Sequence, residues 1–248
     1  MLDLQNLSVL RGQCPVVDGV TASISPGEFI GLIGPNGAGK TTLMRAALGL
    51  IAHRGDSSLA QLDPMARARA AAWLPQAREI AWGLSVAELV ALGRLPHGRD
   101  QLGAGARAVD EALMRMGLEN YRDRAATQLS GGEQARVLIA RALAQQSPLI
   151  LADEPIAGLD PAAQIDTMEV FADHARTGGA VLCSLHDLGL AARHCTRVWV
   201  MDRGRLVADG TPADVLSEAL LAEVFHIRAH FQTTAQGPVF QPLSTLER

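Results

Sequence analysis

The sequence has few aromatic residues, few cysteines and no long apolar run. Only 4% of its 248 residues are aromatic. The three cysteines are odd in number and not at metal-ligand spacing, so we predict reduced thiols at Cys14, Cys183 and Cys195. No stretch approaches the roughly 18 consecutive apolar residues of a membrane-spanning helix. Any association with a membrane is therefore expected to be peripheral.

The chain also lacks a surplus of basic residues and a recognisable targeting segment. Lysine and arginine number 22 against 26 aspartates and glutamates, which gives a formal net charge of −4. A general nucleic-acid binder would carry a basic surplus, so no nucleic-acid partner is expected. The start, MLDLQNLSVL, has neither a basic segment nor a long apolar one, and no signal peptide is predicted.

Hydrophobic residues make up 48% of the chain, enough for one large α/β domain. The segments LDLQNLSVL, VVDGVTASI and EFIGLIG have strand patterns, and strand patterns return at 148–153, 180–185 and 197–202 with helical patterns between them. This alternation predicts a largely parallel sheet. Helical periodicity between the two groups predicts a helical subdomain. Arg203-Gly204 predicts a hairpin turn, and SEALLAEVF a short helix before two weak strands around Gly237.

The stretch GPNGAGKTT matches the phosphate-loop pattern GxxxxGK[ST]. It follows a predicted strand and begins a predicted helix, which is the context that this motif requires. The glycines let backbone N–H groups face the phosphates, and the helix N-terminus adds positive potential. Lys40 is predicted to reach the β- and γ-phosphates, and the Thr41 hydroxyl to ligate Mg²⁺. The predicted nucleotide-binding residues are Gly34, Pro35, Asn36, Gly37, Ala38, Gly39, Lys40, Thr41 and Thr42.

The apolar strand LILADEP ends in two carboxylates. Ligands of open α/β sheets lie at the carboxyl ends of strands. Asp153 is therefore predicted to hold the Mg²⁺ water shell, and Glu154 to polarise the attacking water as general base.

The segment TQLSGGEQARV looks like a second phosphate loop without a lysine. Ser130, Gly131 and Gly132 offer backbone donors and a helix N-terminus, which can bind a phosphate already neutralised elsewhere. One chain cannot easily fold both loops onto one nucleotide, but two copies facing head to tail can. We therefore expect a homodimer with ATP between the phosphate loop of one copy and LSGGE of the other.

These two loops, in this order, resemble those of the ATP-binding cassette (ABC) transporter ATPases over nearly the whole chain. The resemblance implies an α/β P-loop NTPase fold with an antiparallel β subdomain, a parallel-sheet core and a helical subdomain. Residues 1–77 and 129–227 would form the RecA-like core with its β subdomain, 78–128 the helical subdomain, and 228–248 a hairpin-like tail.

The resemblance also implies roles for three further residues. Gln76 in LPQ is similar to the glutamine that contacts Mg²⁺ and senses the membrane partner. Asp160 in AGLD is similar to the aspartate at the dimer seam, although Ala157 stands where serine is common. His186 in SLHD is similar to the switch histidine that touches the γ-phosphate. A single histidine is more often structural, but this one directly follows a predicted strand.

One position departs from the family pattern. The family usually stacks adenine on an aromatic residue upstream of the phosphate loop, and the segment LSVLRGQCPVV contains none. The Arg11 guanidinium could stack on the base instead, or Arg11 could simply be exposed. The sequence leaves both alternatives open.

The segment AWGLSVAELVALGRLPHGRD resembles importers of iron-siderophores, haem, cobalamin and related metal chelates, as does the ending GPVFQPL. This implies a permease, a substrate-binding protein and a peripheral location on the cytoplasmic face of the inner membrane. The plainer alternative is that Trp82 and Leu84 are core residues and that Arg94, His97 and Arg99 form a solvated face.

Other classes of protein fit less well. A non-transport ABC ATPase usually has long coiled-coil inserts or two fused cassettes, and an exporter subunit is disfavoured by the region after Gln76. LSGGE and the paired carboxylates disfavour a P-loop kinase or GTPase, and NKxD is absent. The ATPase subunit of an importer is therefore the favoured function.

Overall fold

A computed structural model of the chain describes residues 1–77, 79–80, 83–98 and 102–246. Trp82 and Arg99 lie outside the described residues. The described strands are β1 (Leu2–Arg11), β2 (Cys14–Ile24), β3 (Phe29–Ile33), β4 (Arg54–Ser57), β5 (Ala71–Leu74), β6 (Leu149–Asp153), β7 (Ala180–Ser184), β8 (Arg197–Asp202), β9 (Arg205–Gly210), β10 (Ile227–Thr234) and β11 (Gly237–Thr245). The described helices are α1 (Lys40–Ala47), α2 (Pro64–Ala70), α3 (Val86–Ala91), α4 (Leu102–Arg115), α5 (Gly131–Ala144), α6 (Pro161–Arg176), α7 (Leu188–His194), α8 (Pro212–Val215) and α9 (Glu218–Leu220), with 3₁₀ turns at Leu92–His97, Glu119–Tyr121 and Ala126–Gln128 and a π turn at Leu221–Phe225.

The central sheet has the strand order β5-β6-β7-β3-β8-β9. Neighbouring strands are parallel up to β8, and β9 returns antiparallel through the turn predicted at Arg203-Gly204. Every residue of β3, β6 and β7 is buried. Such continuous apolar strands are typical of a parallel sheet covered on both faces. The predicted parallel sheet is thus confirmed, but β5, with only four residues, was not among the predicted strands.

A second sheet lies at the N-terminal end of the chain, with the order β2-β1-β4 and antiparallel pairing. Leu2, Leu4 and Leu7 of β1 are fully buried. They belong to one core cluster with Leu43 and Met44 of α1, so this sheet packs beside the helix that begins at the phosphate loop.

Helices α3, α4 and α5 and the three described 3₁₀ turns lie between β5 and β6. Ser85 caps α3 in a capping box with Glu88, as Ser130 caps α5 with Glu133. The helical pattern predicted for SVAELVALGRL is confirmed as α3 followed by the 3₁₀ turn Leu92–His97, which contains Pro96. Leu84 is partly buried against the core, as the plainer alternative predicted.

The C-terminal part contains a short helix and a hairpin. The predicted SEALLAEVF helix is α9 continued by the π turn. Strands β10 and β11 pair antiparallel, and Gly189 of α7 lies beside Phe240 of β11. Cys14 is exposed, Cys183 and Cys195 are buried, and all three are free thiols. Within the described ranges, no helix is both long and apolar enough to cross a bilayer.

Candidate active site

Four predicted site segments meet at one edge of the central sheet. The phosphate loop follows β3, Asp153 ends β6, His186 follows β7, and Gln76 follows β5. These strands are consecutive in the sheet, in the order β5-β6-β7-β3, and all are parallel. Their carboxyl ends therefore lie side by side, which is where open α/β sheets bind ligands.

The phosphate loop wraps around the Lys40 side chain. Lys40 is only 7% exposed, and its Nζ donates to the carbonyl oxygens of Gly34 at 2.7 Å and Pro35 at 3.1 Å. Burial lowers the pKa of Lys40, while the nearby charges of Glu154 and Asp153 raise it. The loop thus holds a cation that faces two carboxylates and is partly stripped of water.

Two glycines of the loop are required by close contacts as well as by backbone conformation. A Cβ at Gly34 would lie 2.2 Å from the Met201 carbonyl oxygen, and one at Gly39 would lie 2.5 Å from the Val16 carbonyl oxygen. Gly39 also has a φ of 101°, which favours glycine. Neighbouring segments from β2 and β8 therefore fix the shape of the loop from outside.

The Glu154 carboxylate joins two of the other predicted site residues. Its Oε2 accepts a hydrogen bond of 2.8 Å from Gln76 Nε2, and its Oε1 lies 2.7 Å from His186 Nε2. Glu154 has a φ of 50°, a left-handed conformation that non-glycine residues rarely adopt. Its backbone N–H donates to the Ser184 hydroxyl at 2.8 Å, a bond that helps to hold this strained turn.

Asp153 is buried beside Glu154 and is 1% exposed. Its Oδ1 accepts a hydrogen bond of 2.7 Å from Ser184 Oγ. Its Oδ2 is buried without a hydrogen-bond partner among the described residues. A buried carboxylate oxygen without a donor suits a hard cation such as Mg²⁺, which prefers oxygen ligands.

Ser184 is a site residue that the sequence analysis missed. Its hydroxyl contacts both Asp153 and the backbone of Glu154. The available signal was its position at the last residue of a buried strand, two places before His186.

The LSGGE segment is not among the segments that follow these strands, since it begins helix α5. Ser130 caps α5, and its hydroxyl exchanges hydrogen bonds with Glu133. A Cβ at Gly131 would meet nothing within 4 Å, and Ser130 and Gly131 are exposed. In the part of the chain that the structure describes, no hydrogen bond joins Ser130 to the phosphate loop of the same copy. Ser130 N–H and Oγ both donate to Glu133 Oε2 within the capping box, and the exposed surface of the segment is accessible to another molecule.

Asp160 and Arg11 are both exposed. Asp160 caps α6 by accepting from Ala163 N–H at 3.0 Å, close to the exposed Ala157. Arg11 ends β1 opposite Cys14, in the turn just before the Val16 carbonyl that contacts the phosphate loop. This turn flanks the loop on the outside.

The alternative of a solvated face is wrong for Arg94 and His97. Both are half-buried, and both contact the C-terminal end of α5. The sequence could not reveal this, since the two ends of the contact are about fifty residues apart.

Comparisons with known proteins agree with this geometry. The ABC transporter family profile matches residues 17–157. A hemin import ATP-binding protein of Pseudomonas aeruginosa is 40% identical over 94% of this chain and 95% of its own length. A cobalamin import ATP-binding protein of Halobacterium salinarum is 40% identical over 92% of this chain and 59% of its own length. The dimeric post-hydrolysis structure of the ATP-binding cassette MJ0796, bound to ADP and Pi, has a TM-score of 0.76 at 26% identity, covering 86% of this chain and 99% of that one.

Proposed function

The chain belongs to the ABC transporter family, and we propose that it is the subunit that drives import of a metal chelate of the haem or cobalamin class. As a member of that family it is an ATPase. The observation that supports the catalytic part best is the Glu154 carboxylate, held between Gln76 and His186 beside the buried Lys40.

In this proposal two copies close head to tail around two ATP molecules. Residues 34–42 of one copy bind the phosphates, while Ser130, Gly131 and Gly132 of the other copy contact the γ-phosphate. Asp160 lies at the seam between the copies, and Arg11 stacks on or flanks the adenine. The exposed position of the LSGGE segment at the N-terminal end of α5 supports this arrangement, as does the dimeric relative bound to ADP and Pi.

Each catalytic residue has a separate role. Lys40 neutralises charge on the β- and γ-phosphates. Glu154 accepts a proton from the attacking water, and its two hydrogen-bond partners orient the carboxylate toward that water. His186 contacts the γ-phosphate and reports its departure. Thr41, Gln76 and Asp153 would hold Mg²⁺, which neutralises phosphate charge.

An apolar groove supports the proposal of a permease partner. It has a volume of about 520 Å³ and lies between the core and the helical segment, with Leu48, Trp73 and Leu92 among its lining residues. Leu50 and Leu95, on its two sides, are 51% and 70% exposed. Exposed apolar surface of this kind marks a contact with another protein. The family resemblance assigns the helical insert to the permease, at the cytoplasmic face of the membrane, and a substrate-binding protein would complete the importer.

Haem is the first substrate to test because of the name of the Pseudomonas relative, and cobalamin is the second. The experiment deletes the gene in its host and measures uptake of hemin and of cobalamin. We expect uptake of one of them to be lost and then restored by the wild-type gene but not by Lys40→Ala.

The complemented strain also serves to identify the partners. Gentle detergent extraction of the tagged chain should co-purify a polytopic permease. If neither uptake changes and the chain is recovered with ribosomal or DNA-associated proteins, a non-transport ABC ATPase is the correct assignment.

A further inference from the structure

The 3₁₀ turn Leu92–His97 is hydrogen-bonded to the C-terminal end of α5. Ser130 lies at the N-terminal end of the same helix. Arg94 Nη1 donates to the Ala144 carbonyl oxygen at 2.8 Å, to that of Gln145 at 3.4 Å and to Gln146 Oε1 at 2.9 Å. The last carbonyls of a helix have no partner within the helix and carry partial negative charge. A guanidinium at this end therefore both satisfies these oxygens and stabilises the helix terminus.

Two more contacts bring the turn onto the helix. His97 Nε2 lies 2.7 Å from the Gln145 carbonyl oxygen, so Nε2 is the nitrogen that donates. A Cβ at Gly93 would lie 2.2 Å from the Arg141 carbonyl oxygen. The backbone of the turn therefore lies directly against the last turn of α5, at a distance that only glycine permits.

The C-terminal end of α5 is also hydrogen-bonded to the core. Gln145 Nε2 donates to the carbonyl oxygens of Ala68 and Ala71, where α2 meets β5. Arg69 of α2 donates to the Pro96 carbonyl oxygen at 2.8 Å. The 3₁₀ turn, the end of α5 and the start of β5 thus form one hydrogen-bonded junction, and β5 leads on to Gln76.

The length of α5 makes this junction a pivot. Fourteen residues form the helix, which is about 21 Å at 1.5 Å per residue. A tilt of about 10° at the C-terminal end would move the N-terminal end by roughly 4 Å. That displacement exceeds the length of a hydrogen bond, so even a small tilt of α5 at this end would carry Ser130 out of reach of a phosphate.

We infer that Arg94 is a positioning residue for the LSGGE segment, because it fixes the end of α5 opposite to Ser130. The inference rests on the proposed nucleotide-bridged dimer, in which Ser130 reaches the ATP of the partner copy. The Arg94 Nη1 group alone lies within hydrogen-bond distance of three acceptors, and it is held there by a rigid, planar guanidinium that a lysine ammonium lacks. Arg94 and Ser130 lie at opposite ends of α5, so Arg94 influences Ser130 through the position of the helix and not by direct contact.

The test compares dimerisation with nucleotide binding in the full-length protein. Arg94→Ala and Arg94→Lys are each combined with Glu154→Gln, and dimerisation with ATP and Mg²⁺ is followed by light scattering. We expect Arg94→Ala to weaken dimerisation at least tenfold, while monomer affinity for ATP changes less than twofold. Arg94→Lys should recover part of the loss. Arg107→Ala, which removes an exposed arginine of α4, is the matched control.

A distance measurement reports positioning directly. Spin labels at the exposed Arg45 and Gln128, in a Cys14→Ser background, should give a broader distance distribution in Arg94→Ala than in its parent. Unchanged dimerisation and an unchanged distribution would overturn the inference. If Arg94→Ala does not fold, the inference is tested with Arg94→Lys, by dimerisation and by the spin-label distance distribution. A parent Glu154→Gln protein that stays monomeric would instead refute the proposed dimer itself.

Discussion

His186 Nε2 lies 2.7 Å from Glu154 Oε1, although 32 positions separate the two residues in the chain. The contact arises because β6 and β7 are neighbouring parallel strands, so the residues that follow them emerge side by side. Gln76 holds the other oxygen of the same carboxylate. The carboxylate that we propose as general base is thus held from both sides.

Glu154→Gln should abolish turnover but retain ATP binding. The amide keeps the size of the side chain and cannot accept a proton, so kcat should fall at least about a hundredfold. ATP and Mg²⁺ should then trap a dimer, to be measured by light scattering beside a phosphate-release assay. Glu119→Gln, at an exposed glutamate, is the control. Turnover close to wild type would exclude Glu154 as the base.

Ser184→Ala should impair both stability and turnover. The change removes the hydroxyl that contacts Asp153 Oδ1 and the Glu154 backbone, and it leaves a buried carboxylate without that donor. We expect the free energy of unfolding to fall by about 1–3 kcal/mol. Urea unfolding measures this, and Ser244→Ala, at an exposed serine of β11, is the reference. Equal stability and equal kcat in both variants would contradict the role given to Ser184.

Ser130→Asp should block hydrolysis without disturbing α5. Aspartate can accept from the Glu133 N–H as serine does, so the helix should still begin at Gly131, although the bond from the Ser130 hydroxyl to Glu133 Oε2 is lost. Its negative charge would repel the γ-phosphate of the partner copy, and dimerisation and turnover should both be lost. Equilibrium binding of ATP to the monomer should not change. Full activity of this variant would show that Ser130 does not approach the phosphate.

His174→Gln should reduce the loss of stability in mild acid. Burial lowers the pKa of His174, its hydrogen bond to the Pro148 carbonyl raises it, and the charge of Arg115 lowers it, with a net downward shift. The unfolded chain, with an ordinary pKa of about 6.5, then binds more protons below that pH than the folded protein does. The free energy of unfolding therefore falls as pH decreases through this window, by at most about 1.4 kcal/mol per pH unit. Thermal unfolding from pH 7.5 to 5.5 should show a shallower decline in the variant, and equal declines would refute the assignment.

Local motifs carried most of what the sequence could predict. The phosphate loop and the paired carboxylates are contiguous stretches whose chemistry depends on a few neighbouring residues. The parallel sheet could be predicted from buried apolar runs. Every residue of β6 and β7 is buried, so neither strand shows the alternation of apolar and polar residues that marks a half-exposed strand.

What the sequence could not predict depends on contacts between distant segments. The four residues of β5 are too few for a clear pattern and become a strand only by pairing with β6. The residues that flank Arg94 in the sequence do not distinguish it from a surface arginine. Its hydrogen-bond partners lie fifty residues further along the chain, at the end of α5. Ser184 gains its role only when β7 lies beside Asp153.

The contacts that shape the phosphate loop also determine when, during synthesis of the chain, the loop can take up its final shape. Strand β3 lies between β7 and β8, and Gly34 and Ala38 contact Met201 and Gly204. The ribosome makes the loop early, but its supports come much later, and such long-range pairing is slow. A nascent chain is therefore expected to bind nucleotide in this way only after residues 201–204 have emerged. A chain cut before Met201 would therefore present a phosphate loop without the contacts that shape it.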